Sequence, residues 1–329
     1  MEQIERNPFH VQLHLTTRCN LACKHCYEGA HNVIDEWDYD ELILVLKNLE
    51  LAFEKWQVLG EISLVGGEPT LYPYINEVIK YIYGSKSINR FAILTNGVSI
   101  SDELYDVMCQ ARPTVQVSVD GINEEKHDFI RGKGNYQRTI NNIRRLVEAN
   151  IPVYVHYVLS KYTIPITWEY IEYMDELGVS QITFSRDVPI GNSNQEIMLS
   201  RYEMKEVFDS LNEYSDRLQG RHLKINTSRP LWACYGKSGR CPVGIQTLTI
   251  LQDGTVYPCR RLPISLGNIK TDSIYKIWYE SDLLWDVRNR NRIVGCGQCK
   301  YVDECGGARC IAYAVTGNYM SADPQCWRL

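Results

Sequence analysis

Near the start of the chain stands the sequence Cys19-Asn20-Leu21-Ala22-Cys23-Lys24-His25-Cys26. Its three cysteines follow a short apolar stretch at residues 11–15 that alternates as a strand does. Structural zinc sites and ordinary four-iron clusters take four protein ligands, so three thiolates leave one metal position free for a substrate or cofactor. The alternative is a zinc site whose fourth ligand is a remote histidine, such as His14 or His25.

Short β-branched stretches alternate with longer amphipathic ones from residue 11 to about residue 190, which indicates βα units around a parallel sheet. Six strands are predicted, at residues 11–15, 62–65, 91–94, 115–119, 153–158 and 182–184. Helices are predicted at about 38–58, 74–83, 101–110, 137–149, 165–177 and 202–218. Because a closed TIM barrel needs eight units, we predict an α/β fold with an open, partial (β/α)6 TIM barrel, whose chemistry lies at the carboxyl ends of its strands.

The amino-acid composition changes after about residue 222, where glycine, proline and cysteine become more frequent. We therefore predict two domains, the barrel at residues 1–222 and a small cysteine-rich α+β domain at residues 223–329. A hairpin is predicted at residues 248–252 and 255–257, joined by the turn Asp253-Gly254. Two short helices are predicted at about 273–279 and 281–289.

Composition limits the classes of function. The 329 residues include 35 basic and 40 acidic side chains, which are mixed along the chain and give a net charge of −5. This balance suggests neither nucleic acid nor an anionic membrane as a partner. No stretch approaches the roughly 20 apolar residues of a membrane-spanning helix, and the first residues lack the build of a signal peptide.

The chain is therefore expected in the cytoplasm, where thiols stay reduced, so most of the 12 cysteines should bind metal. Cys109, far in sequence from the others, is expected to be a core residue.

The Cys-x3-Cys-x2-Cys sequence after a first strand, with His25 in the usual aromatic place, resembles the radical SAM superfamily. The resemblance implies that Cys19, Cys23 and Cys26 hold a [4Fe–4S] cluster, whose open iron chelates the amino and carboxylate groups of S-adenosylmethionine (SAM). Four further motifs match the family in order. They are Gly66-Gly67-Glu68-Pro69, Thr95-Asn96-Gly97, Ser118-Val119-Asp120-Gly121 and the segment from His127 to Gly132, which contains Arg131.

The same resemblance implies a set of SAM-binding residues. Glycines would let the backbone come close to SAM, and Glu68 would accept a hydrogen bond from its ammonium group. Hydroxyl, amide and carboxylate groups would suit the sugar diol, and Arg131 would lie near the SAM carboxylate. The set is Gly66, Gly67, Glu68, Pro69, Thr95, Asn96, Ser118, Asp120 and Arg131.

Eight cysteines lie between residues 234 and 326, and they make two sets of four. Two zinc sites with four cysteine ligands each would use the same eight residues. Beside a radical SAM core, the pattern is similar to the SPASM extension, which implies two auxiliary [4Fe–4S] clusters and three clusters in all. The implied ligands are Cys234, Cys241, Cys259 and Cys310 for auxiliary cluster I, and Cys296, Cys299, Cys305 and Cys326 for auxiliary cluster II. The spacing departs from the family's at one point, because four residues rather than three separate Cys305 from Cys310.

The resemblance implies that SAM is cleaved reductively to a 5′-deoxyadenosyl radical, which abstracts hydrogen from a substrate. We expect an oxidoreductase or cyclase that oxidises or crosslinks a peptide or protein, as ribosomal-peptide maturases do. A flavodoxin- or ferredoxin-type reductant is expected. Because the first strand begins by about residue 11, leader recognition would need a separate partner protein or a short substrate.

Two alternatives stay open: a radical SAM/SPASM enzyme acting on a small biosynthetic intermediate, such as a tetrapyrrole, sugar or amino acid, and a non-catalytic zinc-binding interaction module. The sequence does not single out a general acid or base.

Overall fold

The computed structural model describes residues 7–29, 31, 34–227, 230–237 and 240–329. The first residues, on which the expected absence of a signal peptide depends, lie outside this part. The strands are β1 (Pro8–His14), β2 (Leu59–Val65), β3 (Ile88–Thr95), β4 (Thr114–Ser118), β5 (Val153–Leu159), β6 (Gln181–Arg186), β7 (Lys224–Thr227), β8 (Thr247–Ile250), β9 (Thr255–Tyr257) and β10 (Gly267–Asn268). The α-helices are α1 (Tyr39–Trp56), α2 (Ile75–Gly84), α3 (Asp102–Ala111), α4 (Glu124–Arg131), α5 (Tyr136–Glu148), α6 (Thr167–Glu176), α7 (Arg201–Arg217), α8 (Ile274–Glu280), α9 (Asp282–Arg288) and α10 (Arg309–Thr316).

One sheet joins these strands in the order β10-β9-β8-β1-β2-β3-β4-β5-β6-β7. The pairs from β8 through β1 to β7 are parallel, as βα units require, and β8, β9 and β10 are antiparallel neighbours. The six predicted strands are β1 to β6, so the predicted partial α/β barrel is confirmed. The structure adds β7, whose four residues are too few for a recognisable pattern.

Alternation along the strands separates an apolar core from a polar interior. In β1, Phe9, Val11 and Leu13 are buried in the core that the helices cover, whereas His10 and Gln12 face the inside of the barrel. Helix α1 covers the sheet with a buried face of leucines, valine, alanine and phenylalanine, and begins where the Asp38 side chain accepts hydrogen bonds from the first amides of the helix. The inward-facing residues enclose a cavity of about 740 Å³, named here the barrel cavity.

The cysteine-rich region is attached to the barrel through its hairpin. The predicted hairpin is formed by β8 and β9, and residues 10–13 of β1 pair in parallel with residues 247–250 of β8. The two short predicted helices are α8 and α9. Helices α4 and α10 were not expected from the periodicity. In α4 only Phe129 and Ile130 are apolar, so no amphipathic repeat is visible. In the part of the chain that is described, no helix has the length and apolarity to cross a membrane.

A buried ion pair connects the end of β6 to the end of the chain. The Arg186 guanidinium donates to both carboxylate oxygens of Asp323, at 3.0 and 2.9 Å, and both side chains are inaccessible to solvent. Burial alone would raise the pKa of Asp323, but the charge and hydrogen bonds of Arg186 hold this pKa below its ordinary value. Asp323 also accepts the amide of Ala308 at 2.8 Å, so the pair fixes two segments of the cysteine-rich region.

We expect the substitution Arg186→Met to lower the free energy of unfolding by about 3–5 kcal/mol, because it leaves Asp323 buried without its cation. Urea unfolding of the anaerobically reconstituted protein measures this loss. The control is Arg145→Ala, which breaks an exposed ion pair to Asp102 and should cost about 1 kcal/mol or less. Equal losses in both variants would contradict the prediction.

Since the pKa of Asp323 is lowered on folding, its contribution to stability is present above an ordinary carboxyl pKa of about 4 and is lost as the pH falls below that value. The difference between wild type and Arg186→Met should therefore shrink in acid.

Candidate functional site

A cavity of about 150 Å³ lies at the carboxyl ends of the strands and is named here the strand-end cavity. Cys19, Cys23 and Cys26 line it together, from the loop that follows β1. The loop is fixed from two sides: the Lys24 amide donates to the carbonyl of Ile130, and the Asn192 amide donates to the carbonyl of Cys26. The structure thus brings the three predicted thiols to one space.

Burial raises the pKa of the Cys19 thiol to about 12, and it also raises the pKa values of Cys23 and Cys26. Thiols in such a place ionise only beside a strong positive centre, such as a metal. Within the described ranges, no three histidine, cysteine or acidic side chains meet closely enough to hold a single metal ion. Three thiols around one space are the donor set of a four-iron cluster that has one iron without a protein ligand.

Behind the cysteine loop, Asp120 joins three elements. One of its oxygens accepts from His25 Nε2 at 2.8 Å and from Arg131 Nε at 2.6 Å, and the other accepts from the Val158 amide. The side chain is fully buried, which would raise its pKa, but the charges of Arg131 and His25 hold the pKa of Asp120 well below its usual range. Arg131 also places Nη1 3.9 Å from Cys23 Sγ.

The predicted glycines allow a close approach between two loops. A Cβ on Gly66, whose φ is +145°, would lie 2.4 Å from the carbonyl oxygen of Thr16, and a Cβ on Gly67 would lie 2.5 Å from that of Arg18. The amides of Gly67 and Glu68 donate to these same two carbonyls. Both glycines line the strand-end cavity, where their lack of a side chain leaves the backbone open to a ligand.

Glu68, the expected acceptor for the SAM ammonium group, is buried behind the cavity wall. Its carboxylate accepts hydrogen bonds from the hydroxyls of Thr70 and Thr95 and from the amides of Thr70 and Asn96. These bonds fix the loop that follows β3. Pro69 is likewise buried, at the start of a short 3-10 helix at residues 69–71, and lies outside the cavity wall.

The other expected SAM contacts also fall into residues that line the cavity and residues that lie behind it. Thr95, Asn96, Ser118 and Arg131 line the strand-end cavity, whereas Asp120 does not. Asp120 was expected to suit a sugar diol, but its oxygens are taken by His25, Arg131 and Val158. The structure therefore brings together six of the nine predicted residues and places Glu68, Pro69 and Asp120 behind them.

Sequence reasoning missed five charged residues of this cavity: Glu28, Arg186, Asp187, Arg260 and Arg261. Glu28 pairs with His14, and Arg186 pairs with Asp323. Asp187 follows β6, and burial raises its pKa although the Ser193 hydroxyl donates to it. Arg260 lies 5.2 Å from the ring of Tyr27 and has no carboxylate partner among the described side chains. The available signals were the position of Asp187 just beyond a strand end and the two arginines directly after Cys259.

His156, on β5, also lines the cavity. Its Nε2 lies 2.7 Å from the Ser185 hydroxyl, and burial, with a smaller effect of the Arg260 charge, lowers its pKa to about 3. It is therefore a neutral wall residue at ordinary pH. Cys109 is half-buried on α3 against the core.

The eight C-terminal cysteines line two cavities. Cys241, Cys259 and Cys310 line the barrel cavity, which shares Arg260 and Arg261 with the strand-end cavity. The remaining five line a small cavity of about 20 Å³: Cys234, Cys296, Cys299, Cys305 and Cys326. Cys234, which the resemblance assigns to auxiliary cluster I, thus lies near Cys305 and Cys326. The Cys241 amide donates to the Cys305 carbonyl, so the two sets are adjacent.

Comparisons with known proteins agree with this geometry. The family described as the radical SAM superfamily matches residues 13–177, and the SPASM iron–sulfur cluster-binding domain matches residues 241–300. The chain is 26% identical to the AdoMet-dependent heme synthase of Methanosarcina barkeri, over 95% of this chain and 94% of that protein. It is 27% identical to the antilisterial bacteriocin subtilosin biosynthesis protein AlbA of Bacillus subtilis, over 91% of this chain and 67% of that protein.

Among solved structures, the fold is similar to that of Streptococcus suis SuiB bound to S-adenosylmethionine, with a TM-score of 0.80 at 16% identity. The match covers 98% of this chain and 77% of SuiB. The radical SAM family model matches half of the chain, and Cys19, Cys23 and Cys26 line one cavity. The chain therefore belongs to the radical SAM superfamily and carries a C-terminal SPASM domain.

Proposed function

We propose that this radical SAM enzyme abstracts hydrogen from a carboxylate-bearing peptide and oxidises or crosslinks it. The cluster and SAM, when bound, supply the one-electron cleavage that gives the 5′-deoxyadenosyl radical. In this proposal Cys19, Cys23 and Cys26 hold the cluster. Gly66, Gly67, Thr95, Asn96, Ser118 and Arg131 surround SAM, because these residues form the wall beside the three thiols.

The observation that carries the substrate class is the position of Arg260. This guanidinium lies where the two cavities meet and has no carboxylate partner among the described side chains. A cation held in a partly buried cavity without an anion favours an anionic ligand, and a guanidinium matches the two oxygens of a carboxylate. An acidic side chain or the carboxyl terminus of a peptide would supply this group.

A peptide substrate is supported by the relative AlbA, which is named for the biosynthesis of a bacteriocin. Oxidation of the substrate also needs an acceptor for the second electron. The C-terminal cysteines supply it in this proposal by holding two auxiliary [4Fe–4S] clusters, which makes three per chain. The two cysteine groups lie in or next to the cavities that the substrate would use.

A second candidate is a carboxylate-bearing tetrapyrrole. It is supported by the heme synthase relative, which matches over nearly its whole length. The barrel cavity of about 740 Å³ is also within the usual range for a small-molecule site. Both candidates share the carboxylate that Arg260 would bind, so the choice between them needs a direct test.

The test is anaerobic reconstitution followed by reduction in the presence of SAM, with assay of 5′-deoxyadenosine. We expect about twelve irons per chain, from three four-iron clusters. Acidic peptides and tetrapyrrole carboxylates are then compared as stimulants of 5′-deoxyadenosine formation and by the mass change of each compound. Stimulation by tetrapyrroles alone would replace the first candidate with the second, and no cleavage of SAM would overturn both.

We expect Cys23→Ala to abolish 5′-deoxyadenosine formation and to remove about four irons per chain, because two thiolates cannot hold the cluster. Iron analysis and the product assay measure both effects. Cys109→Ala is the matched control and should retain the iron and the activity of the wild type. Undiminished 5′-deoxyadenosine formation by Cys23→Ala would overturn the role of this cysteine.

We expect Arg260→Ala to raise KM for an acidic substrate by about 10- to 100-fold, the loss of a charged hydrogen bond worth about 1.5–3 kcal/mol. Arg260→Lys keeps the charge but cannot bind both carboxylate oxygens as a guanidinium does. Its KM should therefore lie between those of the wild type and Arg260→Ala. The amide analogue of the same substrate is the control, because the penalty should disappear when the carboxylate is removed. A penalty of the same size with the amide would show that Arg260 does not bind this group.

Two carboxylates line the strand-end cavity, and Glu28 is paired with His14, so in this proposal Asp187 accepts a substrate proton. We expect Asp187→Asn to lower kcat for product formation by about 10²- to 10⁴-fold. The active form is the carboxylate, so the wild-type rate should fall as the pH drops through a pKa above the ordinary value of about 4. The pH profile of kcat/KM measures this limb, and its persistence in Asp187→Asn would contradict the assignment.

A further inference from the structure

Arg309, the first residue of α10, is a buried cation without a carboxylate partner among the described side chains. Its side chain is only 2% exposed. Nη1 donates to the carbonyls of Tyr319 and Ser321, at 2.7 and 2.8 Å. Nε and Nη2 find no acceptor in the described part of the chain. Because a buried charge with unused donors is costly, a negatively charged acceptor is needed beside this guanidinium.

Arg309 lies directly behind the wall of the small cavity. A Cβ on Gly307, whose φ is +58°, would lie 2.5 Å from Arg309 Nη2, and Gly307 lines this cavity. Burial raises the pKa of the Cys296 thiol, and a backbone hydrogen bond from Asp323 and then the charge of Arg309 oppose the rise. Arg309 therefore acts on one of the thiols that surround the small cavity.

A second guanidinium, that of Arg290, is buried beside the preceding glycine. A Cβ on Gly306 would overlap Arg290 Nη1. Nη2 of Arg290 donates to the carbonyl of Cys241 at 2.8 Å, and Nη1 is in reach of the carbonyls of Val302 and Asp303. Of these two guanidiniums, only that of Arg309 keeps N–H groups without an acceptor among the described residues.

The small cavity has the donors that would supply this acceptor by holding a cluster. All four cysteines that the resemblance assigns to auxiliary cluster II line it, and four thiolates complete a four-iron cluster. Such a cluster with four thiolates is an anion, and its sulfur atoms accept hydrogen bonds.

We propose that Arg309 balances the charge of the cluster held by Cys296, Cys299, Cys305 and Cys326, and so raises the reduction potential of this cluster. Reduction adds one negative charge, which a fixed cation in a water-poor interior stabilises. Hydrogen bonds to the cluster sulfurs, for which Nε and Nη2 are available, act in the same direction. Arg309 acts through the cluster, so it is a positioning residue.

A raised potential suits a cluster that accepts an electron. In the proposed function the substrate radical gives one electron to an auxiliary cluster and one proton to Asp187, and the reduced cluster then passes the electron to a one-electron carrier protein. This use of the cluster rests on the proposed function. The effect of Arg309 on the potential requires only that the cluster is present.

The test is a redox titration of the anaerobically reconstituted triple variant Cys19→Ala/Cys23→Ala/Cys26→Ala, followed by EPR of the reduced clusters. Cys299→Ala in the same background identifies the signal of the small-cavity cluster as the one that is lost. We expect Arg309→Gln to lower the equilibrium constant for one-electron reduction of this cluster about tenfold, which is about 59 mV. An unchanged midpoint potential would overturn the proposal. If the triple variant does not fold, the full chain is titrated, and the signal that changes when SAM is added is assigned to the SAM-binding cluster.

Two further variants separate the charge of Arg309 from its structural contacts. Arg309→Lys keeps the cation but not the guanidinium geometry, so its potential should lie closer to that of the wild type than to that of Arg309→Gln. Equal shifts in the two variants would show that lost contacts cause the change and would overturn the proposal. Arg292→Gln removes an exposed arginine that pairs with Asp286 and should leave the potential unchanged.

The outcomes distinguish this proposal from the proposed function. A lowered potential in Arg309→Gln, without stimulation of SAM cleavage by acidic peptides or tetrapyrroles, would support the role of Arg309 and overturn the substrate class. Substrate oxidation by the wild type, with an unchanged potential in Arg309→Gln, would support the proposed function and overturn the role of Arg309. A wild-type iron content of about four per chain would overturn both the auxiliary electron path and this proposal.

Discussion

A buried ion pair between Arg186 and Asp323 decides how the two halves of the chain meet. Asp323 accepts the Ala308 amide near Cys310, and its backbone carbonyl accepts the amide of Cys326. The carbonyl of Arg186 accepts a hydrogen bond from Arg261. One pair therefore fixes segments that carry thiols of both C-terminal groups. Because neither charge reaches water, each is stable only in the presence of the other, and the three segments keep one arrangement.

Exclusion of water also determines which groups in the cavities are charged. Buried thiols have raised pKa values and ionise only beside positive centres, and two arginines lie against them. Arg131 lies beside Cys23, and Arg261 lies among Cys241, Cys259 and Cys310. Arg131 and Arg186 have carboxylate partners, whereas Arg260 and Arg261 have none among the described side chains. In the proposed function this difference leaves positive charge in the cavity for an anionic ligand.

The barrel itself connects the two kinds of cysteine site. Its inward face is polar, and pairs such as His10 with Ser63 and His156 with Ser185 satisfy its hydrogen-bonding groups. The interior is hollow, and residues including Gln116, His156 and Arg260 line both cavities. In the proposed function, a substrate in this space would reach from the strand ends to Cys241, Cys259 and Cys310, and the surrounding sheet would limit access of water, as reactive intermediates require.

Local sequence signals determined much of the architecture. Periodicity predicted the six barrel strands, and turn residues predicted the hairpin at Asp253-Gly254. Cysteine spacing predicted the metal-binding loop at residues 19–26. All three signals act over a few residues. The need for glycine at Gly66 and Gly67 was also visible. Helix α4 was missed because only two of its eight residues are apolar, and strand β7 because its four residues show no alternation of their own; helix α10 was also missed.

The partners of individual side chains were decided only by tertiary structure. Glu68 and Asp120 carry the residue types expected of ligand contacts, yet their hydrogen bonds come from residues 27 to 95 positions away as well as from near neighbours. The parallel pairing of β8 with β1 joins residues more than 230 positions apart and brings Arg260 to the cavity. The sequence thus set the types and spacing of the donors, whereas long-range packing set which thiols line the same cavity and which charged side chains lie beside them.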